Sequence, residues 1–228
     1  MKILAIITAR GGSKRVPGKN LRPLGGTPLL VWSVDIVKGV SEVCDTLVTT
    51  DDDAIAEAGR AAGALVPWLR PVELATDTAT SLDVCLHALD WYEQERGEVD
   101  GLLLLQPTSP FRSRAAVFRG IDLFRVNGHR PVVGVSPAGL HPMRCFKLDG
   151  DRIQPYIDGA GLQLRSQDLP PAFAVNGAFY LISPKQLRET RTFYPSDMLP
   201  LVMDKPEEAI DIDTEWDWKI AESVTGAL

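Results

Sequence analysis

Cysteine and histidine are scarce in this chain of 228 residues, and neither type is grouped. The three cysteines lie far apart, form no CxxC pair and lack the spacing of zinc ligands. The three histidines do not cluster either, so covalent catalysis by a Ser/His/Asp or Cys/His arrangement has no clear candidate. We therefore expect free thiols in a reducing cytosol. These six residues are Cys44, Cys85, Cys145, His87, His129 and His141.

An excess of positive charge and long apolar runs are also missing. The formal net charge is −6, from 24 Lys and Arg against 30 Asp and Glu, which argues against a general nucleic-acid partner. The N-terminal apolar run, residues 3–7, is too short for a signal-peptide core or a membrane span. We therefore expect a cytoplasmic protein that binds neither nucleic acid nor a membrane.

Neither of the two common phosphate-binding motifs is present, yet a basic, glycine-rich loop follows the first apolar run. There is no G-x-G-x-x-G spacing; five residues separate Gly12 from Gly18, and Asn20 stands where a P-loop has its hydroxyl. Residues 9–20, ARGGSKRVPGKN, nevertheless suit a polyphosphate, because backbone N–H groups in such loops can form an anion site. A solvated turn is the alternative, and we favour a nucleoside triphosphate. The loop's cations are Arg10, Lys14, Arg15 and Lys19.

Strand-like and helix-like segments alternate along the chain, which predicts an α/β fold with a mostly parallel sheet flanked by helices. The predicted strands are residues 2–8, 46–50, 65–67, 102–105, 132–135 and 178–183. We expect a single domain, residues 1–228, with residues 140–175 as an inserted β excursion, because Pro, Gly and charged residues interrupt the alternation there. Asp149-Gly150 predicts a hairpin within it. The insertion is a candidate acceptor pocket or dimer contact.

Two aspartates near the C-terminus are candidate metal ligands. In an extended chain, residues two apart point to the same side, so Asp211 and Asp213 would project together while Ile212 is buried. Magnesium suits such a pair, because it takes oxygen ligands and bridges to substrate phosphates. The alternative is a helix N-terminus, capped by Asp213 or Thr214 with Asp217 completing a capping box. Both interpretations can hold for different members of the segment, and we favour metal binding for the two aspartates.

Three further polar segments could contribute to a site. Residues 106–112, QPTSPFR, follow an apolar strand, where ligands bind in parallel sheets. In residues 70–81, Arg70 could meet a phosphate or base edge, but composition alone favours plain structural roles, such as an N-cap at Ser81. In residues 163–170, Arg165 could pair with a carboxylate in bidentate fashion.

Taken together, six segments in order resemble the acylneuraminate cytidylyltransferase family, which includes the CMP-sialic acid synthetases and their bacterial relatives. Thr8, where the family usually has proline, and Phe111, where it usually has leucine, are small departures. The matching segments are ARGGSKRVPGKN at 9–20, RPVELATDTATS at 70–81, LQPTSPFR at 105–112, RSQDLP at 165–170, NGAFY at 176–180 and DIDT at 211–214.

The resemblance implies a nucleotidyltransferase-like, Rossmann-like fold, commonly a homodimer, and a set of residue roles. The residues implied to bind the nucleotide are Ala9, Arg10, Gly11, Gly12, Ser13, Lys14, Lys19, Asn20, Arg70 and Ser81. Those implied to face the sugar acid are Gln106, Thr108, Arg165 and Tyr180, with Arg165 as the partner of its carboxylate. Asp211 and Asp213 are implied to bind Mg²⁺, and together with Arg10, Lys14 and Lys19 they form the implied catalytic set.

The implied reaction transfers CMP from CTP to the anomeric hydroxyl of a nonulosonic acid and releases pyrophosphate. Sialic, legionaminic and pseudaminic acids are all possible acceptors. Transfer to another sugar acid, such as ketodeoxyoctonate, or from another nucleotide is the alternative within the enzyme class. A non-catalytic nucleotide-binding regulator is an alternative of a different class; it is disfavoured because the chain keeps both the phosphate loop and the paired carboxylates.

Overall fold

The structure, a computed structural model, describes residues 1–226 and is built around a six-stranded sheet. Two short two-stranded sheets accompany it, one made by β2 and β3 and one by β7 and β8. The strands are β1 (Ile3–Thr8), β2 (Pro23–Leu24), β3 (Thr27–Pro28), β4 (Val43–Thr49), β5 (Gly101–Leu104), β6 (Val132–Pro137), β7 (Phe146–Asp149), β8 (Arg152–Pro155), β9 (Phe173–Ile182) and β10 (Leu199–Val202).

Most helices begin at a side chain that accepts a hydrogen bond from a free N–H of the first turn. Asp52, Thr80, Ser113, Ser183 and Thr214 each do so, which satisfies donors that have no partner inside the helix. Thr214 and Asp217 form the predicted capping box. The helices are α1 (Leu29–Asp35), α2 (Asp53–Ala61), α3 (Ser81–Arg96), α4 (Arg114–Val126), α5 (Pro184–Thr190) and α6 (Glu215–Thr225).

The main sheet has the order β10-β6-β9-β5-β1-β4 and is mostly parallel, as predicted. β1 pairs in parallel with β4 and β5, and β10 with β6. The exception is β9, which runs antiparallel between β5 and β6 and begins five residues before the strand predicted at 178–183. Its N-terminal half therefore lies at the edge where the parallel strands end, which is the edge that binds ligands in such sheets.

The sheet is buried on both faces because its strands alternate apolar side chains between two layers. In β1, Ile3, Ala5 and Ile7 face α1, α2 and α4, whereas Leu4 and Ile6 face α3 and α5. This two-layer burial explains why the central strands are apolar without interruption.

A third apolar cluster ties the chain's two ends together beyond the sheet. Val16 from the glycine-rich loop packs with Ile212 and with Trp218 of α6, and all three are fully buried. The cluster fixes residues that are about 200 positions apart in sequence beside one another. It thereby places the basic loop next to Asp211 and Asp213.

Several predicted boundaries differ from the structure. Residues 65–67 form no strand of their own but a single bridge between Leu65 and Leu47. The edge strand β10 was not predicted, because Pro200 interrupts a run of only four residues. The sequence also predicts a helix over residues 28–38, beginning with a proline suited to the first turn; helix α1 ends at Asp35, three residues before Lys38.

Residues 138–172 leave the sheet after β6 and return into β9. They contain the hairpin predicted at Asp149-Gly150, formed by β7 and β8, with Gly150 at φ +60°. Its side chains are largely exposed, including Leu148, Ile153 and Tyr156. Within residues 1–226, no helix combines the length and apolarity needed to cross a bilayer.

Candidate active site

A cavity of about 570 Å³ opens at the carboxyl ends of β1 and β5 and collects most of the predicted nucleotide-binding residues. It lies between the glycine-rich loop, the segment before α3 and the loop after β5. Predicted residues that line it are Arg10, Ser13, Lys14, Lys19, Asn20, Arg70, Ser81, Thr108 and Asp213. Arg15, predicted as a loop cation, lines it as well. The fold thus gathers five cationic side chains in one concave space.

Two of these cations are held by one carboxylate that was not predicted to belong to the site. Asp77 Oδ1 accepts a hydrogen bond from Arg10 Nη1 at 2.9 Å, and Asp77 Oδ2 accepts one from Lys14 Nζ. Hydrogen bonds from Lys14 and then Arg10 lower the pKa of Asp77. Arg10 and Lys14 therefore point into the same region, where an anion is already present.

Lys19 is the most enclosed cation of the loop. Its Nζ donates to the Ile212 carbonyl at 2.7 Å and lies 3.7 Å from Asp213 Oδ1, while its side chain is only 12% exposed. Burial lowers the pKa of Lys19, and the nearby Asp213 and Asp211 oppose that shift. Arg15 Nη1 also contacts Asp213, at 3.3 Å. The phosphate loop and the aspartate pair therefore form one charged surface.

Gly11 is fixed by two acidic residues at the end of β4. Its N–H donates to Asp51 Oδ1 at 2.9 Å, so this amide is engaged within the protein. A Cβ at Gly11 would lie 2.8 Å from Asp52 Oδ2 and 3.0 Å from Asp52 Cβ, so only glycine fits without movement. Gly12 has open space at the corresponding position. Of the two adjacent glycines, Gly12 is thus the one that leaves room for a ligand.

Ala9, Asn20 and Arg70 hold the cavity walls in place. The Ala9 N–H donates to the Thr49 carbonyl at 3.1 Å, and Asn20 Nδ2 donates to the Arg10 carbonyl at 2.9 Å. The guanidinium of Arg70, which is 7% exposed, binds Thr49 through its hydroxyl and its carbonyl. Burial lowers the pKa of Arg70, with a smaller opposing effect from Asp51. All three make structural contacts at positions where the resemblance implies nucleotide contacts.

Composition alone favoured Ser81 as a helix N-cap, but the structure gives that role to its neighbour. The N-cap of α3 is Thr80, whose hydroxyl accepts from the Asp83 N–H at 3.1 Å, and Ser81 is the first helical residue. Ser81 lines the 570 Å³ cavity and also a second cavity of about 310 Å³ beside it. Its position therefore marks the boundary between the two spaces.

The second cavity contains two of the residues implied to face the sugar acid, Gln106 and Tyr180. Tyr180 is 5% exposed, and its hydroxyl accepts a hydrogen bond from the Tyr194 hydroxyl at 3.4 Å. Burial raises the pKa of Tyr180, so it remains a neutral hydrogen-bonding group. Phe193 and Arg191 complete a wall that is part aromatic and part cationic.

Gly177 joins the second cavity to the aspartate pair. It has φ +74°, and a Cβ there would lie 2.7 Å from Ser109 Oγ, 2.9 Å from Gln106 Oε1 and 4.0 Å from Asp211 Cγ. Glycine is suited to this place both by its left-handed backbone and by the lack of space. The antiparallel course of β9 delivers Gly177 to this point.

Asp211, Ile212 and Asp213 alternate exposed, buried and exposed, as expected for an extended segment. The Ile212 N–H donates to the Thr108 carbonyl at 2.8 Å, which anchors the segment to the loop after β5. Loss of water contact raises the pKa of Asp211; a hydrogen bond from Thr108 opposes the rise, and the charge of Asp213 adds to it. Among residues 1–226, no three His, Cys, Asp or Glu side chains are grouped as a metal site.

Five predicted site residues line neither cavity: Ala9, Gly11, Gly12, Asp211 and Arg165. Of these, Arg165 is the one that belongs to neither the glycine-rich loop nor the aspartate pair. It lies in the excursion between β8 and β9, is exposed, and lines neither of the two cavities described above. Its implied pairing with a sugar carboxylate therefore remains a prediction.

Arg112 supports the site from beneath, and its burial was not predicted. Its guanidinium donates to the carbonyls of Ala178 and Gln106 and to the Ser33 hydroxyl. Burial lowers the pKa of Arg112 to about 9, which leaves it charged at neutral pH. Arg112 and Asp77 lie within polar segments that were predicted to contribute to a site, and Asp51 directly follows a predicted strand. A sequence cannot show which of their polar side chains turn inward.

Comparison with known proteins was consistent with this geometry. A family model described as cytidylyltransferase matches residues 4–110. The CMP-N,N'-diacetyllegionaminic acid synthase of Legionella pneumophila is 38% identical, over 98% of this chain and 96% of that protein. An N-acylneuraminate cytidylyltransferase of Streptococcus agalactiae is 32% identical over 96% of this chain, which spans only 52% of that protein.

One solved structure extends the likeness to the whole fold. A CMP:2-keto-3-deoxy-manno-octonic acid synthetase complexed with CTP superposes with a TM-score of 0.72, covering 100% of this chain and 99% of the other. The two chains are only 16% identical, so this similarity establishes the architecture alone.

Proposed function

The chain belongs to the acylneuraminate cytidylyltransferase family, and on that premise we propose that it transfers CMP from CTP to the anomeric hydroxyl of a nonulosonic acid. The observation that carries this proposal is the pair of adjoining cavities that share Ser81. One is lined by cations suited to a triphosphate, and the other by polar and aromatic groups with one arginine, Arg191, suited to a sugar acid. The aspartate pair stands beside the basic loop.

In the proposed reaction, the anomeric oxygen of the sugar acid attacks the α-phosphorus of CTP. A new P–O bond forms, the bond from the α-phosphorus to pyrophosphate breaks, and the hydroxyl loses its proton. Phosphoryl transfers of this kind depend chiefly on positioning and on stabilising charge. Arg10, Lys14 and Lys19 would bind the phosphates and offset the charge that develops on pyrophosphate. Gln106 and Tyr180 would orient the acceptor.

Asp211 and Asp213 fit a magnesium ion by the chemistry of their donors. Both are oxygen ligands of the type that Mg²⁺ prefers, and they supply too few protein ligands to saturate it. Burial raises the pKa of Asp211 and the charge of Asp213 adds to the rise, so a cation bound beside the pair would favour the ionised carboxylates. When bound, the ion would supply positive charge to the substrate phosphates.

Legionaminic acid is the acceptor that we place first. The relative named for an N,N'-diacetyllegionaminic acid product shares 38% identity over nearly the full length of both chains. The N-acylneuraminate cytidylyltransferase is less similar and about twice as long. We also propose that the carboxylate of the acceptor is met by Arg165, which requires residues 138–172 to approach the second cavity.

A homodimer would explain the apolar surface of the excursion. Leu148, Ile153 and Tyr156 are each more than 60% exposed, and Phe173 is half exposed. Leu148 and Ile153 are cross-strand partners in the β7–β8 hairpin, and apolar groups exposed side by side are typical of a surface covered by a partner. Sedimentation equilibrium at micromolar concentration should give twice the mass of one chain, and a Leu148→Asp variant should give the mass of one.

The decisive experiment incubates the protein with CTP, Mg²⁺ and each nonulosonic acid in turn, with CMP-sugars detected by mass and pyrophosphate by a coupled assay. We expect CMP-legionaminic acid to form fastest and CMP-sialic or CMP-pseudaminic acid more slowly. Transfer to ketodeoxyoctonate alone would replace the acceptor assignment. CTP binding with no CMP-sugar from any acceptor would overturn the proposed enzyme in favour of a nucleotide-binding regulator.

A further inference from the structure

The most unusual contact of the candidate site joins two of its cations to a carboxylate from a different loop. Asp77 uses each of its oxygens for a separate partner, Arg10 at 2.9 Å and Lys14 on the other side. Arg10 Nη1 also donates to the Thr76 carbonyl at 3.3 Å. The Asp77 carboxylate and the neutral Thr76 carbonyl thus hold two cations that are proposed to bind phosphate oxygens.

Residues 75–79 are held firmly at both ends but weakly between them. Before them, the Arg70 N–H donates to the Thr50 carbonyl at 2.6 Å, and the Arg70 side chain is buried against Thr49. After them, Thr80 caps α3. In between, Thr76, Asp77 and Thr78 are exposed. Such a segment can swing about fixed ends without disturbing the core, because little of it is buried.

The ion pairs of Asp77 with Arg10 and Lys14 are of a kind that another anion can replace. Arg10 and Asp77 are 37% and 53% exposed and Lys14 is 76% exposed, and pairs this exposed are weak. A triphosphate carries several negative charges and more acceptor oxygens than one carboxylate. It can therefore displace Asp77 from both cations at once.

We propose that Asp77 is an internal competitor of the nucleotide phosphates, which holds Arg10 and Lys14 in the free protein and is displaced when CTP binds. This inference rests on the proposed function, in which the two cations bind the triphosphate. Displacement moves residues 75–79 away from the glycine-rich loop. Their return, when Asp77 again takes up the cations, helps expel pyrophosphate. Asp77 thereby weakens substrate binding and speeds product release.

The test is equilibrium binding by calorimetry to the wild type and to Asp77→Asn and Asp77→Ala variants. We expect both variants to bind CTP and pyrophosphate about 3- to 10-fold more tightly, a range consistent with weak exposed pairs. Binding of cytidine, which has no phosphate, should not change. Glu73→Gln is the matched control, because it removes one carboxylate from the same region, and no contact of Glu73 with Arg10 or Lys14 occurs among the described residues.

A second variant pair isolates the contact itself. In a Lys14→Gln background, the gain from Asp77→Asn should shrink, because one of the two cations has been removed. Unchanged CTP binding by Asp77→Asn would overturn the inference. Weaker CTP binding would also overturn it and would make Asp77 a group that positions the two cations. If the wild type transfers CMP, that result leaves the proposed function intact. If the wild type does not bind CTP at all, both the inference and the proposed function fail.

Discussion

Adding one methyl group at Gly11, and separately at its neighbour Gly12, tests how the phosphate loop is held. A Cβ at Gly11 would lie 2.8 Å from Asp52 Oδ2 and 3.0 Å from Asp52 Cβ, whereas at Gly12 nothing lies within 4 Å. Neither glycine has a left-handed backbone, so alanine causes no backbone strain at either position. The two variants therefore differ in contact alone.

Gly11→Ala can be accommodated in two ways, and each has a cost. If Asp52 turns away, α2 loses the cap bond from the Ile55 N–H, which costs about 0.5–2 kcal/mol. If the loop moves instead, Gly11 loses its hydrogen bond to Asp51, which is worth about 1 kcal/mol. A stability loss of about 1–2 kcal/mol corresponds to a melting temperature lower by about 2–8 °C in a protein of this size.

The loop movement should also weaken catalysis. A displacement approaching 1 Å at a positioning element can reduce kcat/KM by about 100-fold, so we expect a loss of about 10- to 100-fold for CTP. Gly12→Ala should keep the wild-type melting temperature and raise the KM for CTP only if phosphate lies against that glycine. Differential scanning fluorimetry and steady-state kinetics measure both quantities. A Gly11→Ala variant with wild-type stability and wild-type KM would refute the assignment of Asp51 and Asp52 as supports of the loop.

Three further predictions concern other parts of the molecule. Asp213→Ala should reduce turnover by at least about 100-fold, because the proposed magnesium site and Lys19 each lose a partner. The exposed position of Asp213 should keep the melting temperature nearly unchanged, and full activity would exclude the metal assignment. Arg112→Met should lower the free energy of unfolding in urea by about 3 kcal/mol, because the two carbonyls and the hydroxyl that the guanidinium binds lose their donor. A loss below about 1 kcal/mol would contradict the structural role of Arg112. Burial raises the pKa of the Cys85 thiol to about 12. At pH 8 a thiol reagent should therefore modify the exposed Cys44 and reach Cys85 only after denaturation. Rapid modification of Cys85 in the folded protein would show that α3 opens.

The basic cavity was the part of the candidate site most open to prediction, because its signals are local. Arg10, Lys14 and Lys19 follow a strand directly, and parallel strands end at one edge of the sheet. The packing of Val16 against Ile212 could not be seen in the sequence, since it depends on where α6 folds back. The resemblance implied only that the basic loop and the aspartate pair belong to one site.

The direction of β9 could not be predicted for a different reason. Residues 178–182 of β9 are apolar and buried, and such a run looks the same in the sequence whether the neighbouring strands are parallel or antiparallel. The burial of the Arg112 side chain could not be predicted either, because charged residues are almost always exposed unless paired. Asp77 was visible as a loop residue, but its two partners lie more than 60 positions away.

The way residues 138–172 are attached has a consequence for how this protein can change in evolution. Pro137 and Phe173 are paired across β6 and β9, and the Ala138 N–H donates to the Ala172 carbonyl at 2.9 Å. The two ends of the insertion are thus fastened to each other before the chain departs. Lengthening or replacing such a loop costs little, about 0.6 kcal/mol for each doubling of its length. The proposed Arg165 contact and the proposed dimer contact could therefore be exchanged together, while β6 and β9 stay in register.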